Sequence, residues 1–204
     1  MFTGIIEAIG VIDGLEPKGG DVRLSINTGK LDLSDVQLGD SICTSGCCLT
    51  VVELTGQGYV ADVSIESLKV TTLSDWELGQ RVNLEKSLTP MTRLGGHMVS
   101  GHVDGIGEVL SRESSARADV FWIKVPANLA KYVAHKGSVT IDGTSLTVNE
   151  VNGNEFCLTI VPHTLQETVI SDYEAGTLVN VEVDLIARYL ERLNMGDDAA
   201  KKLS

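Results

Sequence analysis

The chain has 204 residues, 43% of them hydrophobic and 22% charged, with a formal net charge of −12 at pH 7. That balance supplies material for a core and excludes a disordered chain. An acidic surface, with a sequence pI near 4.7, does not track phosphates, so neither nucleic acid nor an anionic membrane is an expected partner. The opening MFTGIIEAIG has no basic n-region, and no apolar run approaches the roughly 18 residues of a spanning helix, so the expected location is cytoplasmic. The four cysteines, Cys43, Cys47, Cys48 and Cys157, form no CxxC pair. If Cys47 and Cys48 share a strand they face opposite sides. Reduced thiols with no metal site are the expectation.

Taken in order, the chain repeats itself. Thr3-Gly4-Ile5-Ile6 opens a unit that Ser100-Gly101-His102-Val103 opens again, 97 positions later (101 minus 4). The same offset places Gly46-Cys47-Cys48-Leu49-Thr50-Val51 over Gly143-Thr144-Ser145-Leu146-Thr147-Val148, Asn83 over Asn180, and Glu85 over Glu182. A single offset sustained over this length marks a duplication. Its units are 1–97 with a linker, 98–184, and a tail of 185–204.

Each unit reads as β. Apolar and polar residues alternate in Ser138–Val151 and Glu155–Val161, and turn dipeptides recur at Asp13-Gly14, Gly19-Gly20, Gly56-Gln57-Gly58 and Asn152-Gly153-Asn154. Several short strands in under about 100 residues predict a small closed barrel per unit. Short helical turns are predicted near Glu66–Leu73 and Thr164–Ile170, the second opening on a capping box, Thr164-Leu165-Gln166-Glu167. The linker from Thr89 to Gly96 is breaker-rich and has no counterpart in the repeat. In the tail, Leu185, Ile186, Tyr189, Leu190 and Leu193 share one helical face, with Asp184 as N-cap. So short a helix needs packing, between subunits or on its own barrel. Gly196-Asp197-Asp198 ends it, and fraying is expected beyond.

MFTGIIE, the run Gly46–Val51, G-G-H-M-V-S-G-H-V-D-G at Gly95–Gly105 and I-D-G-T-S-L-T-V at Ile141–Val148 resemble the riboflavin synthases of the α-chain type over nearly the whole chain. The resemblance implies an all-β fold of two similar six-stranded antiparallel Greek-key barrels plus a C-terminal α-helix, assembled as a homotrimer. It implies a transferase that dismutates two molecules of 6,7-dimethyl-8-ribityllumazine. One molecule gives four carbons to the other, forming riboflavin and 5-amino-6-ribitylamino-uracil without metal or redox cofactor. Association with lumazine synthase is a further partner it brings in. The working site would lie where the first barrel of one subunit faces the second barrel of another.

Carried over by residue, the first pocket is Gly4, Ile5 and Ile6, then Cys48, Leu49 and Thr50, then Asp62, Val63, Ser64, Ile65, Glu66 and Ser67. The second is Gly101, His102 and Val103, then Ser145, Leu146 and Thr147, then Thr159, Ile160, Val161, Pro162, His163 and Thr164. Lys136 matches a lysine that reaches the site from a neighbouring subunit. One departure stands out, Ser45 where the family has Asn or Asp before Gly46.

Two copies of one binding unit suit a reaction between two identical molecules, because the gain is proximity and orientation. The substrates play different parts, so asymmetry belongs where the repeats differ. Ile5 stands over His102, Cys48 over Ser145, and Glu66 over His163. The chemistry needs a proton taken from an acidified ring methyl and a nucleophile added to the other ring. Among these paired differences His102 carries an imidazole, the side chain most often used for general acid–base work. Cys48 is a base, a nucleophile or a small buried hydrophobe; Cys43, Cys47 and Cys157 read as hydrophobes. Ser145, Thr50 and Thr147 suit hydrogen bonds to the ligand or across a barrel. Asp184 matches a catalytic-site aspartate of the family, or is simply the helix cap. Lys136 is also explained as a solvated loop residue, Glu66 and His163 as openers of helical turns, and His97 as structural. A non-catalytic lumazine- or flavin-binding protein shares the fold, but the presence of Cys48, His102, Ser145 and Thr147 favours the enzyme. A generic sugar- or oligonucleotide-binding barrel is disfavoured by acidity and few aromatics.

Overall fold

The computed structural model describes residues 1–196. Its first half runs through β1 (Ala8–Lys18), β2 (Asp21–Asn27), β3 (Ser41–Thr44), β4 (Cys47–Thr50), β5 (Glu53–Leu54), β6 (Gly58–Val63), α1 (Ile65–Val70) and β7 (Arg81–Lys86). The second half runs through β8 (Gly105–Ser115), β9 (Ala118–Lys124), β10 (Ser138–Ile141), β11 (Thr144–Asn152), β12 (Glu155–Ile160), α2 (Pro162–Glu167) and β13 (Leu178–Val183), followed by α3 (Leu185–Asn194).

β8 to β13 close into an antiparallel barrel in the order β10-β11-β12-β9-β8-β13, which leaves no free sheet edge. The first half forms a seven-stranded sheet, β4-β3-β7-β1-β2-β6-β5. Its two end strands are consecutive in the chain and together occupy the place of β11. The sheet's ends therefore meet at Val51–Val52, where β11 has only a register shift between Val148 and Glu150. The bonding around the break repeats: Val51 N–H donates to Asp40 O at 2.8 Å, and Val148 N–H to Gly137 O at 3.0 Å.

Two local expectations are corrected. Asp13-Gly14 is not a turn. It lies inside β1, where the register against β2 shifts between Ile12 and Gly14, and β8 shifts at the equivalent point between Val109 and Ser111. The glycine admits a bulge facing Ser25 rather than a chain reversal. The capping box at Thr164 is also absent. α2 starts two residues earlier on Pro162, whose fixed φ suits the first helical position, with Val161 as an N-cap lacking a side-chain bond. In the first repeat Ser64 occupies that cap and accepts from Ser67 N–H.

Each barrel has its own core. Tyr59, Ile12, Leu24, Ile26 and Leu84 fill the first, and Phe121, Ile123, Phe156, Leu158 and Val181 the second. Between them lies a third cluster of Phe2, Cys43 and Val99. Here equivalent residues meet across an approximate two-fold axis. Phe2 bridges Val99, and a Cβ on Gly46 or on Gly143 would lie 3.0 or 2.9 Å from the other's amide nitrogen. The polar bonds are reciprocal. Asn83 donates to Asp142 O at 2.9 Å and Asn180 to Ser45 O at 2.8 Å, while their amide oxygens accept from Val169 N–H and Thr72 N–H, both at 2.8 Å. This is the geometry of an isologous dimer interface within one chain. Ser45 keeps the turn despite its departure from Asn or Asp, with φ of 41° against 42° at Asp142.

Candidate functional site

Each repeat opens with a short leader pinned by a buried carboxylate near the end of its own barrel. Thr3 N–H and hydroxyl both donate to Glu85 Oε1 at 2.6 Å, and Gly4 N–H to Oε2 at 2.9 Å. In the second repeat Ser100 N–H and hydroxyl donate to Glu182 Oε1 at 2.7 Å, and Gly101 N–H to Oε2 at 2.8 Å. Burial is the largest influence on Glu85 and raises its pKa, against the bonds from Thr3 and Gly4. The sequence carried a signal for both carboxylates, their shared place in the repeat, but no chemistry to read from it.

From these anchors the leaders cross over. Gly101 O accepts from Cys48 N–H of the first barrel, and Gly4 O from Ser145 N–H of the second, both at 2.8 Å. Each leader therefore lies beside the wall of the other repeat. Gly101, His102 and Val103 join Cys48, Leu49, Glu66 and Ser67 around a cavity of about 210 Å³. Gly4 lies instead against the wall that carries Ser145. Both glycines stand at φ of 76°, and a Cβ there would lie 2.7 Å from Cys48 Cβ or 2.5 Å from Ser145 Cβ. Only glycine lets the leader approach so closely. Val103 packs on the core of the first barrel, which confirms the exchange.

The two walls differ in what lies over them. Gly95, Gly96 and His97 of the linker cover the second wall, a Cβ on Gly96 meeting Thr3 O at 2.2 Å and Ser145 Cβ at 2.6 Å. His97 Nδ1 shares a hydrogen bond with Ser145 Oγ at 2.7 Å, and Nε2 one with Thr140 Oγ1 at 3.2 Å. Burial lowers the His97 pKa, opposed by the charges of Asp184 and Glu182. A neutral imidazole, one nitrogen donating and one accepting, matches two hydroxyl partners. His97, expected to be structural, is thus in direct contact with Ser145, a candidate site residue. It could not be aligned with anything in the first repeat.

The remaining candidates divide. Val63 and Ile160 turn their side chains into the cores of their own halves. Asp62 pairs with Arg23 at 3.4 Å and Lys18 at 3.6 Å. Thr50 and Thr147 are exposed at equivalent positions, as are Ser64 and Val161, and Ile65 and Pro162. Leu146 packs on the second core, and Ile6 and Thr164 are half-buried. Thr159 and His163 are exposed, as is Lys136, which occupies a turn with φ of 61°. Asp184 caps α3 by accepting from Ile186 N–H at 2.9 Å. Cys43 and Cys47 are buried, and burial pushes both thiols up, while Cys48 stands half-buried at the cavity.

The duplication seen in the fold coincides with a family match: the lumazine-binding domain family matches residues 3–87 and again 100–184. The chain is 56% identical to the riboflavin synthase of Photobacterium phosphoreum, covering all of this chain and 94% of that one. It is 41% identical to that of Bacillus subtilis, over 94% of this chain and 89% of the other. Among solved structures, LumP complexed with 6,7-dimethyl-8-(1'-D-ribityl) lumazine superposes with a TM-score of 0.81 at 26% identity, over 90% of this chain and 99% of LumP. LumP complexed with riboflavin gives 0.83 at the same identity and coverage. The chain belongs to the riboflavin synthase family.

Proposed function

We infer that the chain dismutates two molecules of 6,7-dimethyl-8-ribityllumazine into riboflavin and 5-amino-6-ribitylamino-uracil. The transfer moves four carbons between identical molecules, so atoms balance with no oxidant or reductant. The observation that carries the reading is one wall built twice about an approximate two-fold axis, with ionisable groups in unlike places. Whole-chain similarity to riboflavin synthases and to lumazine- and riboflavin-bound LumP supports it.

At the first wall, His102 and Cys48 share a cavity, and there the imidazole is suited to take the methyl proton. At the second, Ser145 is backed by His97 at 2.7 Å. A neutral imidazole in that position accepts the hydroxyl proton as the oxygen turns toward an electrophilic ring. Thr50 and Thr147 orient one ligand each. Asp184 acts through the cap of α3 and its charge beside His97.

The exposed stripe of Ile186, Tyr189, Leu190 and Leu193, with Met98 beside it, supports assembly through α3. The reading is a homotrimer in which Lys136 of one copy approaches the site of another. Its partners are the lumazine and further copies of this chain, and four free thiols support a cytoplasmic location. The test is to mix purified protein with 6,7-dimethyl-8-ribityllumazine, without metal or nucleotide, and follow riboflavin absorbance. Steady riboflavin formation is expected. Tight binding without turnover would make the chain a carrier instead.

A further inference from the structure

We propose that Arg188 is a positioning residue: from α3 it holds the main chain of His102, so that the seating of that helix and the placing of the imidazole are one event. The inference rests on the role given to His102 above.

Arg188 Nη2 donates to His102 O at 2.9 Å and to Asp104 Oδ2 at 2.6 Å. Asp104 is itself tied to the strand that leads into α3. Its Oδ2 accepts from Val183 N–H at 2.8 Å, and its own N–H donates to Val181 O at 2.8 Å. On the other side, His102 N–H donates to Glu182 Oε2 at 3.0 Å. Both peptide groups of His102 are thus held by charged side chains, one from β13 and one from α3. With its backbone held at both ends, the imidazole is left with only its side-chain torsions to set.

The comparison between repeats isolates the arginine. Glu7 stands in the place of Asp104 and accepts from Lys86 N–H at 2.8 Å, as Asp104 does from Val183. The acid that ties leader to strand is therefore common to both halves. The position equivalent to Arg188 is Met91, in the exposed linker. The cation occurs only in the half whose leader carries histidine rather than Ile5. Stability alone explains the guanidinium poorly, since Arg188 Nε is buried without a hydrogen-bond partner among the described residues. Such an orphan donor is a cost. Arg188 projects from α3 away from the apolar stripe of Ile186, Tyr189, Leu190 and Leu193. One face of the helix thus holds the site while the other is free for a second copy.

The test is a set of variants of the full chain: Arg188→Ala, Arg188→Lys, Asp104→Asn and His102→Ala, with the Arg188→Ala/His102→Ala double. Asn at 104 keeps an acceptor for Val183 N–H and loses the ion pair. Turnover, lumazine affinity, sedimentation and the His102 ring resonance are read for each. Arg188→Ala is expected to lower kcat about tenfold with little change in affinity or sedimentation, and to move the resonance. Arg188→Lys is expected to recover part of the loss, because one nitrogen makes both bonds. Arg188→Ala should remove nothing further once His102 is alanine. The proposal is overturned by an equal loss on the His102→Ala background, by loss of assembly in step with activity, or by an unmoved resonance. His102→Ala with unchanged kcat would strike instead at the role of His102 in the reaction, and the resonance then decides whether Arg188 places it.

Discussion

Replacing Gly101 with alanine tests the crossed leader directly. Its φ of 76° lies in the left-handed region, which costs a residue with Cβ roughly 1–2 kcal/mol. The added methyl would also stand 2.7 Å from Cys48 Cβ, 2.9 Å from Phe2 Cε2 and 3.1 Å from Cys48 N. None of these is the far end of a flexible side chain, and overpacking of this kind costs about 1–3 kcal/mol more. Gly101→Ala is therefore expected to lose roughly 2–5 kcal/mol. Gly153 supplies the control: φ is 63° but nothing lies within 4 Å of its added Cβ, so Gly153→Ala should lose only the first part, about 1–2 kcal/mol. Gly4→Ala, with Cβ 2.5 Å from Ser145 Cβ, should match or exceed Gly101→Ala. The assay is the urea midpoint at matched protein concentration, because assembly shifts apparent stability. Equal midpoints for Gly101→Ala and Gly153→Ala would refute the close approach of the second leader to Cys48.

Burial pushes the Asp142 pKa up from 3.8 to about 6, against bonds from Tyr173 and Asn180. The folded protein therefore holds a proton that the unfolded chain releases, and this contribution is present at low pH and lost as pH rises from about 4 to about 6. A shift of this size is worth about 3 kcal/mol; stability of Asp142→Asn should fall less than wild type over that range, and parallel curves would discard the argument. Trimming the chain after Asp184 should produce a smaller species on sedimentation, and an unchanged mass would remove α3 from assembly. His97→Phe keeps the bulk but strips Ser145 and Thr140 of their partner, so turnover should fall about 100-fold; near-normal turnover would return His97 to a structural part.

The duplication, the β character of both halves and α3 were legible because they rest on spacing, which the chain carries in one dimension. Which copy of a leader meets which wall was not. Alignment makes Gly4 equivalent to Gly101 but cannot say that Gly101 neighbours Cys48, since a two-fold axis permits both the direct and the exchanged arrangement. Asp13-Gly14 reads as a reversal in isolation, and only its pairing with β2 makes it a bulge. His97 lies in a segment without a repeat partner, so comparison between halves could not single it out. Arg188 lies off the apolar face of α3, where pattern alone marks it as solvated, and its acceptors lie 84 and 86 residues away.

Reciprocal exchange of the leaders also orders events in time. Thr3 and Gly4 wait for Glu85, and Gly4 waits again for Ser145, so the opening residues settle late by closure of long loops. Until then Phe2 has no Val99 to meet and stays available to other nascent chains. The first barrel has its strands once Lys86 is made, yet its cavity lacks a side until Gly101, His102 and Val103 arrive. A released chain ending short of those residues would have the strands of the first half and an incomplete cavity.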